Sequence, residues 1–425
     1  MNLRKSIFAC LALGIGSLAA GPAFAQDNPP PDFSNDPIID GLPAGMQPWR
    51  DPDNPNVQIL NKDWDKYYTR RDMIGGNPKR DPGPIDLQRY VTVPTKHAFP
   101  TYFGLPIAMT TEDLKAGNVD VAFVGAPSTF NPAGGTGWAA NYMRLNHNYD
   151  FAGASHDLWF NNEAFEILNV VDYGNTNAHP SLMVQNFADQ ALVFKEIIEG
   201  GAIPMVIGGE HGTQVASMMA LVDHYGPQSF TVVHFDAHTD LAPPDGTLGM
   251  FHHGGRSLRF AHKNGWIKGD QIFHVGLRGA YESVERMDWM FNNQTNYYFM
   301  PQFEKNGFDE TVDKLVAELK GRRLYISIDM DVLDGFLAPG VSNPEIGGFT
   351  TLQFMNILRK LALQNEILLI DWVEYSPLLD DRRRTTANVI NRLQRHVLHA
   401  FAARKQGITD PNYVHPAMLK DNSAQ

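Results

Sequence analysis

From Val119 onwards, short apolar segments rich in β-branched residues alternate with segments of helical periodicity, and this alternation constrains the fold more than any other feature. The predicted strands are residues 119–124, 203–207, 230–235, 271–275, 324–328 and 367–373. The predicted helices between them include residues 188–199, 215–225, 310–319 and 352–363. Strands that alternate with helices form a mainly parallel sheet covered on both faces. The sequence therefore predicts an α/β fold of three αβα layers, in which ligands bind at the carboxyl ends of the strands.

The first 25 residues have the features of an export signal. Arg4 and Lys5 provide a positive start, an apolar run follows at 6–21, and residues 23–25 form a small-x-small cleavage pattern. The apolar run is too short to span a bilayer comfortably, which argues against the alternative of a membrane anchor. We therefore expect residues 1–25 to be removed. The processed protein is then periplasmic or secreted and makes no membrane contact.

The remaining chain divides into three parts by composition. Residues 26–110 are predicted to be an N-terminal extension, whose first part, to about residue 61, is rich in Pro, Asp, Asn and Gly. We interpret that first part as an arm that is disordered or lies over a neighbouring molecule. The α/β alternation predicts a catalytic domain over residues 111–410, followed by a C-terminal tail at 411–425.

Composition limits the chemistry that the chain can carry. A hydrophobic content of 43% is ample for a large core, and a formal net charge of −12 argues against nucleic acid as a partner. The same charge is compatible with a cationic substrate. The only cysteine, Cys10, lies in the predicted signal segment, so the processed chain has neither disulfides nor thiolate metal sites. Any metal ion must be held by His, Asp and Glu.

Three clusters of metal-binding residue types each begin where a predicted strand ends. They are GGEHG at 208–212, DAHTD at 236–240 and DMDVLD at 329–334. In an extended segment, residues two apart point to the same face, so the acidic and histidine side chains of one cluster are expected to converge. The ligand-type side chains concerned are His211, Asp236, His238, Asp240, Asp329 and Asp331.

A single histidine or aspartate is more often structural than functional, but the whole set argues otherwise. The carboxyl ends of parallel strands meet at one edge of a sheet, so the three clusters are expected to meet there. Carboxylates gathered in that way repel each other strongly unless cations hold them together. Four carboxylates and two imidazoles suit a pair of divalent first-row ions.

The three clusters resemble, in order and spacing, the metal signatures of the ureohydrolase (arginase/agmatinase) family. Further agreement is found in VGAP at 124–127, VDYGN at 171–175, APG at 338–340, PEIGG at 344–348 and DWVEYSP at 371–377. The resemblance covers roughly residues 119–404 and is to the agmatinase-like branch. It implies the arginase-like fold and the hydrolysis of a small cationic guanidino compound to urea and an amine.

The resemblance also implies how the ions are held. One ion has the ligands His211, Asp236, Asp240 and Asp329, and the other has Asp236, His238, Asp329 and Asp331. Asp236 and Asp329 therefore bridge the two ions together with a water. We expect manganese, because hard carboxylates favour it, although two imidazoles also accept nickel, cobalt or zinc.

Three residues receive catalytic roles from the resemblance. Asp240 takes a proton from the attacking water and passes it to the leaving amine. Glu374 pairs with the planar guanidinium, whose N–H donors suit a carboxylate. His253 matches the proton-shuttle histidine and is preferred to His252 because a glycine follows it. The alternative for this pair is a surface His-His turn.

Loops around the predicted site depart from the family pattern. Gly212 stands in place of serine and Gly335 in place of proline. Asn343 stands where agmatinases often have threonine, and the loop at 128–143 contains Asn131 but lacks an Arg-Pro-Gly-Thr-Arg pattern. We assign Asn131 and Asn343 to substrate binding. The chemistry carries over from the resemblance, whereas the identity of the substrate does not.

Several other functions remain open at this point. One is a formiminoglutamase-like enzyme or a hydrolase of free guanidine on the same fold. A single-zinc deacetylase is disfavoured, because both histidines and four metal-binding aspartates are present. A catalytically inactive, metal-stabilised binding protein is the alternative from another class. Family members are commonly trimers or hexamers, so the resemblance also implies a homo-oligomer.

Overall fold

A computed structural model describes residues 49–51, 54–59, 81–87, 100–129, 135–149, 156–178, 183–243, 254–279 and 282–419. The predicted signal segment lies outside these residues, as do Asn131, His252 and His253. The chain separates into two units, Met1–Asn61 and Lys62–Gln425. In the first unit, strand β1 (Trp49–Asp51) pairs antiparallel with β2 (Asn54–Ile59).

The second unit is built on an eight-stranded sheet in which every neighbouring pair is parallel. The strands of the second unit are β3 (Val121–Ala126), β4 (His156–Asp157), β5 (Asn162–Glu163), β6 (Val170–Asn175), β7 (Ile203–Gly208), β8 (Thr231–Phe235), β9 (Ile272–Val275), β10 (Asn296–Tyr298), β11 (Arg323–Asp329) and β12 (Glu366–Val373). The order in the large sheet is β10-β9-β8-β11-β12-β7-β3-β6, while β4 and β5 form a separate antiparallel pair.

Helices flank this sheet and connect its strands. They are α1 (Thr111–Ala116), α2 (Ala139–Tyr149), α3 (Ala164–Ile167), α4 (Met183–Glu199), α5 (Thr213–Tyr225), α6 (Ser257–Lys263), α7 (Val284–Asn292), α8 (Met300–Asn306), α9 (Phe308–Leu319), α10 (Thr351–Gln364) and α11 (Thr385–Lys405). Helix α4 packs against α5, and α10 packs against α11. The arrangement confirms the predicted three-layer αβα fold.

The strands at the two edges of the sheet, β6 and β10, are absent from the prediction. Strand β6 carries a buried ion pair in place of a purely apolar pattern. Asp172 accepts hydrogen bonds from Arg144 Nε at 2.7 Å and from Arg144 Nη2 at 2.8 Å. Strand β10 has only 3 residues. A short strand and a charged strand both lack the apolar signal on which the prediction relied.

The residues just before α1 pack within the second unit. Tyr102 and Phe103 are buried in its hydrophobic core, and Arg144 lies over the Tyr102 ring at 4.2 Å. Ile107 forms isolated bridges to Ile85 and to Asp172 of β6. This part of the predicted extension therefore extends the sheet edge. Among the described residues, no helix is both long and apolar enough to cross a membrane.

Candidate metal centre

The six predicted ligands lie at the carboxyl ends of three strands. His211 lies between β7 and α5, the residues Asp236, His238 and Asp240 follow β8, and Asp329 ends β11 with Asp331 in the turn after it. Strands β8 and β11 are neighbours, and only β12 separates β11 from β7. The topology therefore brings the three sequence clusters to one edge of the sheet.

The turn that carries His211 depends on a glycine. A Cβ atom on Gly209 would lie 1.6 Å from the carbonyl oxygen of Ser128, so only glycine permits this close approach of the two loops. Backbone hydrogen bonds stabilise this contact. The Gly209 N–H donates to the Ala126 carbonyl at 2.7 Å, and the Glu210 N–H donates to the Ser128 carbonyl at 3.2 Å. The GGEH pattern thus positions the histidine against the sheet.

Three of the predicted carboxylate ligands converge on a ring nitrogen of a fourth predicted ligand, His211. His211 Nδ1 lies 3.0 Å from Asp236 Oδ2, 3.2 Å from Asp240 Oδ2 and 3.4 Å from Asp329 Oδ2. These are the residues that the resemblance assigns to one ion. Three of the four side chains are almost completely buried, whereas the Asp240 side chain is 18% exposed and is the most accessible of them.

The second group forms around His238. Its Nδ1 lies 2.9 Å from Asp331 Oδ2 and 3.5 Å from Asp236 Oδ1. Asp236 therefore presents one oxygen to each group, which is the geometry that a bridging carboxylate requires. Asp329 presents Oδ2 to the first group, and its Oδ1 accepts a hydrogen bond from the Asp331 backbone at 2.9 Å.

The reason for the convergence differs from the prediction. Strand β8 ends at Phe235, and the DAHTD residues form a bend in place of the expected extended segment. Asp240 adopts a left-handed backbone conformation with a φ of 50°, which is uncommon for a residue with a side chain. The Ala237 backbone donates to Asp331 Oδ1 at 2.9 Å and ties this bend to the third cluster. The bend, and not the alternation of side chains along a strand, therefore orients these side chains.

The proton on His211 can be placed from its partners. Ser327 Oγ donates to Asp371 Oδ1 at 2.7 Å, so its lone pairs are available to His211 Nε2, which lies 2.9 Å away. Nε2 therefore carries the proton and Nδ1 presents a lone pair to the carboxylates. Asp371 also accepts from Ser217 Oγ at 3.0 Å and from the Tyr325 hydroxyl. These partners favour the His211 tautomer whose Nδ1 could bind a metal ion.

The hydrogen bonding of two buried atoms shows whether the site fits a metal ion. His211 Nδ1 and Asp236 Oδ2 are 3.0 Å apart, yet neither has a hydrogen-bond partner among the residues that the structure describes. Burial of polar atoms without hydrogen-bond partners costs folding free energy, and a divalent cation between these two atoms would satisfy both. The donors are all imidazole nitrogens and carboxylate oxygens, which suit manganese and its first-row neighbours.

Burial and mutual repulsion shift the pKa values of the acidic residues. Burial, followed by the charges of Asp331 and Asp236, raises the pKa of Asp329 well above its usual range. Burial and the Asp236 charge raise the pKa of Asp331 to about 6. Burial also opposes ionisation of Asp236, but its histidine contacts outweigh this and hold its pKa well below the usual range. Cations at this site would relieve the repulsion.

Glu374 lies directly after β12 in a left-handed turn with a φ of 62°. Its backbone donates to Gly209 at 2.9 Å, and its Oε1 accepts from the His211 backbone at 2.7 Å. Burial raises the pKa of Glu374 to about 7. The Glu374 carboxyl group is thus held directly beside His211.

Besides Glu374, the structure describes one predicted substrate residue, Asn343. Asn343 is exposed, in the loop between β11 and α10. Glu345 of the same loop reaches the cluster, with its Oε1 3.6 Å from His238 Nε2. Asn131 and both candidates for the shuttle histidine lie outside the described residues. Their roles stay predictions.

Two residues at the site were missed by the sequence analysis. His234 Nε2 lies 3.2 Å from Asp236 Oδ2. It precedes Asp236 by two positions, so strand alternation could have indicated it. Arg278 donates to the carbonyl groups of Asp331 at 2.6 Å, Leu333 at 2.9 Å and Glu345 at 2.9 Å. The sequence analysis did not indicate Arg278, because these three partners are more than fifty residues away.

A parallel αβα sheet with a cluster of histidines and aspartates at its carboxyl edge is an arrangement that suits a metal-dependent enzyme. The sequence model of the arginase family matches residues 119–400, so the chain belongs to the arginase family. The chain is therefore an arginase-family ureohydrolase, of a class that acts on guanidino groups. This confirms the resemblance seen in the sequence.

Individual relatives match this chain in sequence, and a solved structure matches it in fold. Proclavaminate amidinohydrolase of Streptomyces clavuligerus is 26% identical over 291 residues, which cover 67% of this chain and 89% of that protein. Agmatinase of Chromobacterium violaceum is 31% identical over 226 residues, which cover 52% of this chain and 66% of that protein. The solved structure of the Streptomyces enzyme has a TM-score of 0.64 at 24% identity and covers 73% of this chain and 99% of that one. That structural match shows a shared fold.

Proposed function

We propose that this protein hydrolyses a small cationic guanidino compound of the agmatine type to urea and an amine, with two divalent ions per chain. Manganese is the metal that we expect. The observation that carries the proposal is the convergence of Asp236, Asp240 and Asp329 on His211 Nδ1, with distances from 3.0 to 3.4 Å. The Glu374 carboxylate, 2.7 Å from the His211 backbone nitrogen, adds a guanidinium partner beside that group.

The residues present divide into two ligand sets. His211, Asp236, Asp240 and Asp329 would hold one ion, and Asp236, His238, Asp329 and Asp331 would hold the other. When bound, such a pair of ions lowers the pKa of a water molecule and so supplies a nucleophile near neutral pH. Side chains of the protein would orient the substrate and transfer protons.

Glu374 and Asp240 have complementary tasks. A guanidinium carbon is a poor electrophile, so the substrate must be oriented, and the buried Glu374 carboxylate can accept hydrogen bonds from its planar N–H groups. The amine leaves only after it has gained a proton. Asp240, the most accessible carboxylate around His211, can take a proton from the attacking water and deliver it to that nitrogen. His253 would then exchange protons with solvent.

A urea-release assay over a panel of substrates tests the proposal. The processed chain, reconstituted with Mn²⁺, should release urea from agmatine faster than from arginine, guanidinobutyrate or free guanidine. Formamide release from formiminoglutamate, or urea release mainly from free guanidine, would support those alternative activities instead. Metal binding without turnover of any of these compounds would support the inactive binding protein.

We also propose that the protein is exported. The support is the positive start, apolar run and small-x-small pattern of residues 1–25. The chain isolated from its native host should begin near Gln26, which amino-terminal sequencing or intact mass would show. Arg4-Lys5 is at best a degenerate twin-arginine signal, so we expect export of the unfolded chain and metal loading outside the cytoplasm. Recovery of the intact amino terminus would contradict this proposal.

We further propose a homo-oligomer, either a trimer or a hexamer, in which the Pro-rich arm contributes to assembly. That arm has too little apolar content to form a core of its own. Light scattering of the processed chain should give a mass of three or six subunits, and deletion of residues 26–60 should lower it. A monomeric mass that the deletion leaves unchanged would rule out this role for the arm.

A further inference from the structure

The chain segment that follows β9 packs against the bend at residues 236–240. The Gly279 N–H donates to the Ala237 carbonyl at 2.8 Å. A Cβ atom on Gly279 would lie 2.5 Å from His238 Cδ2, so a glycine is needed for the backbone to approach this imidazole ring so closely. The segment therefore lies directly against the bend that carries three of the predicted ligands.

Glu282 of the same segment binds both hydrogen-bond donors of Thr239. The Thr239 N–H donates to Glu282 Oε1, and the Thr239 hydroxyl donates to Glu282 Oε2, each at 2.6 Å. Hydrogen bonds to an ionised carboxylate are stronger than those between neutral groups, and two of them together also fix the orientation of the partners. Thr239 is fully buried, whereas 13% of the Glu282 side chain is exposed. Glu282 therefore holds one residue of the bend at two points.

Thr239 lies between two predicted ligands that belong to different ion sets. His238 precedes it, and its Nδ1 lies 2.9 Å from Asp331 Oδ2. Asp240 follows it, and its Oδ2 lies 3.2 Å from His211 Nδ1. The left-handed φ of 50° at Asp240 is a strained conformation, which persists only when surrounding contacts hold it. The backbone of Thr239 thus sets the directions of both neighbouring side chains.

We propose that Glu282 is a positioning residue of the metal centre, which holds Thr239 so that His238 and Asp240 face their respective ions. This inference rests on the metal centre of the proposed function. Glu282 acts through the backbone of the bend and contacts no ion itself. Loss of an outer partner that orients metal ligands typically lowers metal affinity by about 10- to 100-fold.

Direct metal binding by Glu282 is the competing role, since carboxylate oxygens are themselves ligands for divalent ions. Both of its oxygens accept hydrogen bonds from Thr239, and binding to an ion would weaken or break one of them. The two roles respond differently to changes at Thr239. A positioning Glu282 depends on the threonine hydroxyl as a partner, whereas a ligating Glu282 does not.

Two residues of α7 provide matched controls. Asp288 is exposed and carries the same charge as Glu282. Arg286, four residues after Glu282, has its Nη1 3.6 Å from Glu282 Oε2. Ion pairs that solvent reaches contribute little to stability. Asp288→Asn and Arg286→Gln therefore change the charges around Glu282 without removing either hydrogen bond to Thr239.

The test measures Mn²⁺ affinity of the full processed chain by equilibrium dialysis after removal of metal with a chelator. Glu282→Ala should weaken Mn²⁺ binding by about 10- to 100-fold. Thr239→Val, which removes only the hydroxyl contact, should cause a smaller loss, and Thr239→Ser should bind Mn²⁺ like the wild type. The double variant of Glu282→Ala and Thr239→Val should bind no more weakly than Glu282→Ala alone, because both changes remove the same contact. Asp288→Asn and Arg286→Gln should stay close to the wild type.

Different outcomes separate the possible failures. Wild-type Mn²⁺ affinity in Glu282→Ala overturns the positioning role. A loss in Glu282→Ala that is absent from Thr239→Val also overturns it and indicates direct ligation, and an equal loss in Asp288→Asn overturns it by showing a general effect of charge. Thermal unfolding in chelator checks that the variants are folded, and if Glu282→Ala is not, the comparison of Thr239→Val with Thr239→Ser decides. A wild-type chain that binds no Mn²⁺ would refute the proposed function, and this inference with it.

Discussion

Replacement of Asp236 by alanine is expected to remove both metal ions from the protein. Its Oδ2 lies 3.0 Å from His211 Nδ1 and its Oδ1 lies 3.5 Å from His238 Nδ1, so one side chain serves both groups. Removal of a shared ligand leaves two sets of buried carboxylates without the cation that balances them. The metal content measured by elemental analysis should fall from close to two ions per chain to close to none. Asp329→Ala should behave in the same way.

Asp334→Ala is the matched control for this experiment. Asp334 belongs to the same DMDVLD segment, but its carboxylate accepts from the backbones of Phe336 at 3.0 Å and Gly347 at 2.8 Å. This variant should keep its ions even if the loop is less stable. A full complement of metal in Asp236→Ala or in Asp329→Ala would show that the two ions do not share that carboxylate.

Glu374→Gln should lose much of its activity while its metal content stays the same. Truncation of one partner of a buried charge pair costs about 2–5 kcal/mol. Since about 1.4 kcal/mol corresponds to a factor of ten, catalytic efficiency should fall about thirtyfold to several-thousandfold. Steady-state kinetics together with elemental analysis would measure both quantities. Loss of metal in this variant would mean that Glu374 is a ligand or holds one in place.

Two further variants set the scale for Glu374→Gln. Glu345→Gln alters another carboxylate at the same edge, 3.6 Å from His238 Nε2, and should have a much smaller effect on efficiency. His253→Asn should lower turnover more than substrate affinity and alter the pH profile, because the predicted task of His253 is to move protons. Unchanged activity and metal content in Glu374→Gln would indicate that the substrate is not a guanidino compound.

The central strands were predictable because burial on both faces leaves a simple pattern. Strand β11 (Arg323–Asp329) and strand β12 (Glu366–Val373) are buried almost throughout and extend the predicted segments by one or two residues. Strand β6 was missed because Asp172 within it is buried by pairing with Arg144 on α2, a partner that lies 28 residues earlier. A pattern of local hydrophobicity does not reveal such distant compensation.

The ligand positions were also predictable, since each followed a recognisable strand. The orientation of their side chains was not predictable, because it depends on a bend at residues 236–240 and on the left-handed backbone conformation of Asp240. His234 lies two positions before Asp236 and could have been indicated by strand alternation, whereas Arg278 was missed because it binds a loop that is distant in the sequence. Local sequence indicated which residues could bind metal, and tertiary contacts determine how those residues are held.

The most direct measurement of the central claim is the metal dependence of urea formation from agmatine. The processed wild-type chain should release urea, lose that activity on removal of metal with a chelator, and regain it as Mn²⁺ is restored to about two ions per chain. Urea release that persists in the metal-free protein would contradict the account. So would a chain loaded with two ions that releases no urea from any guanidino compound tested.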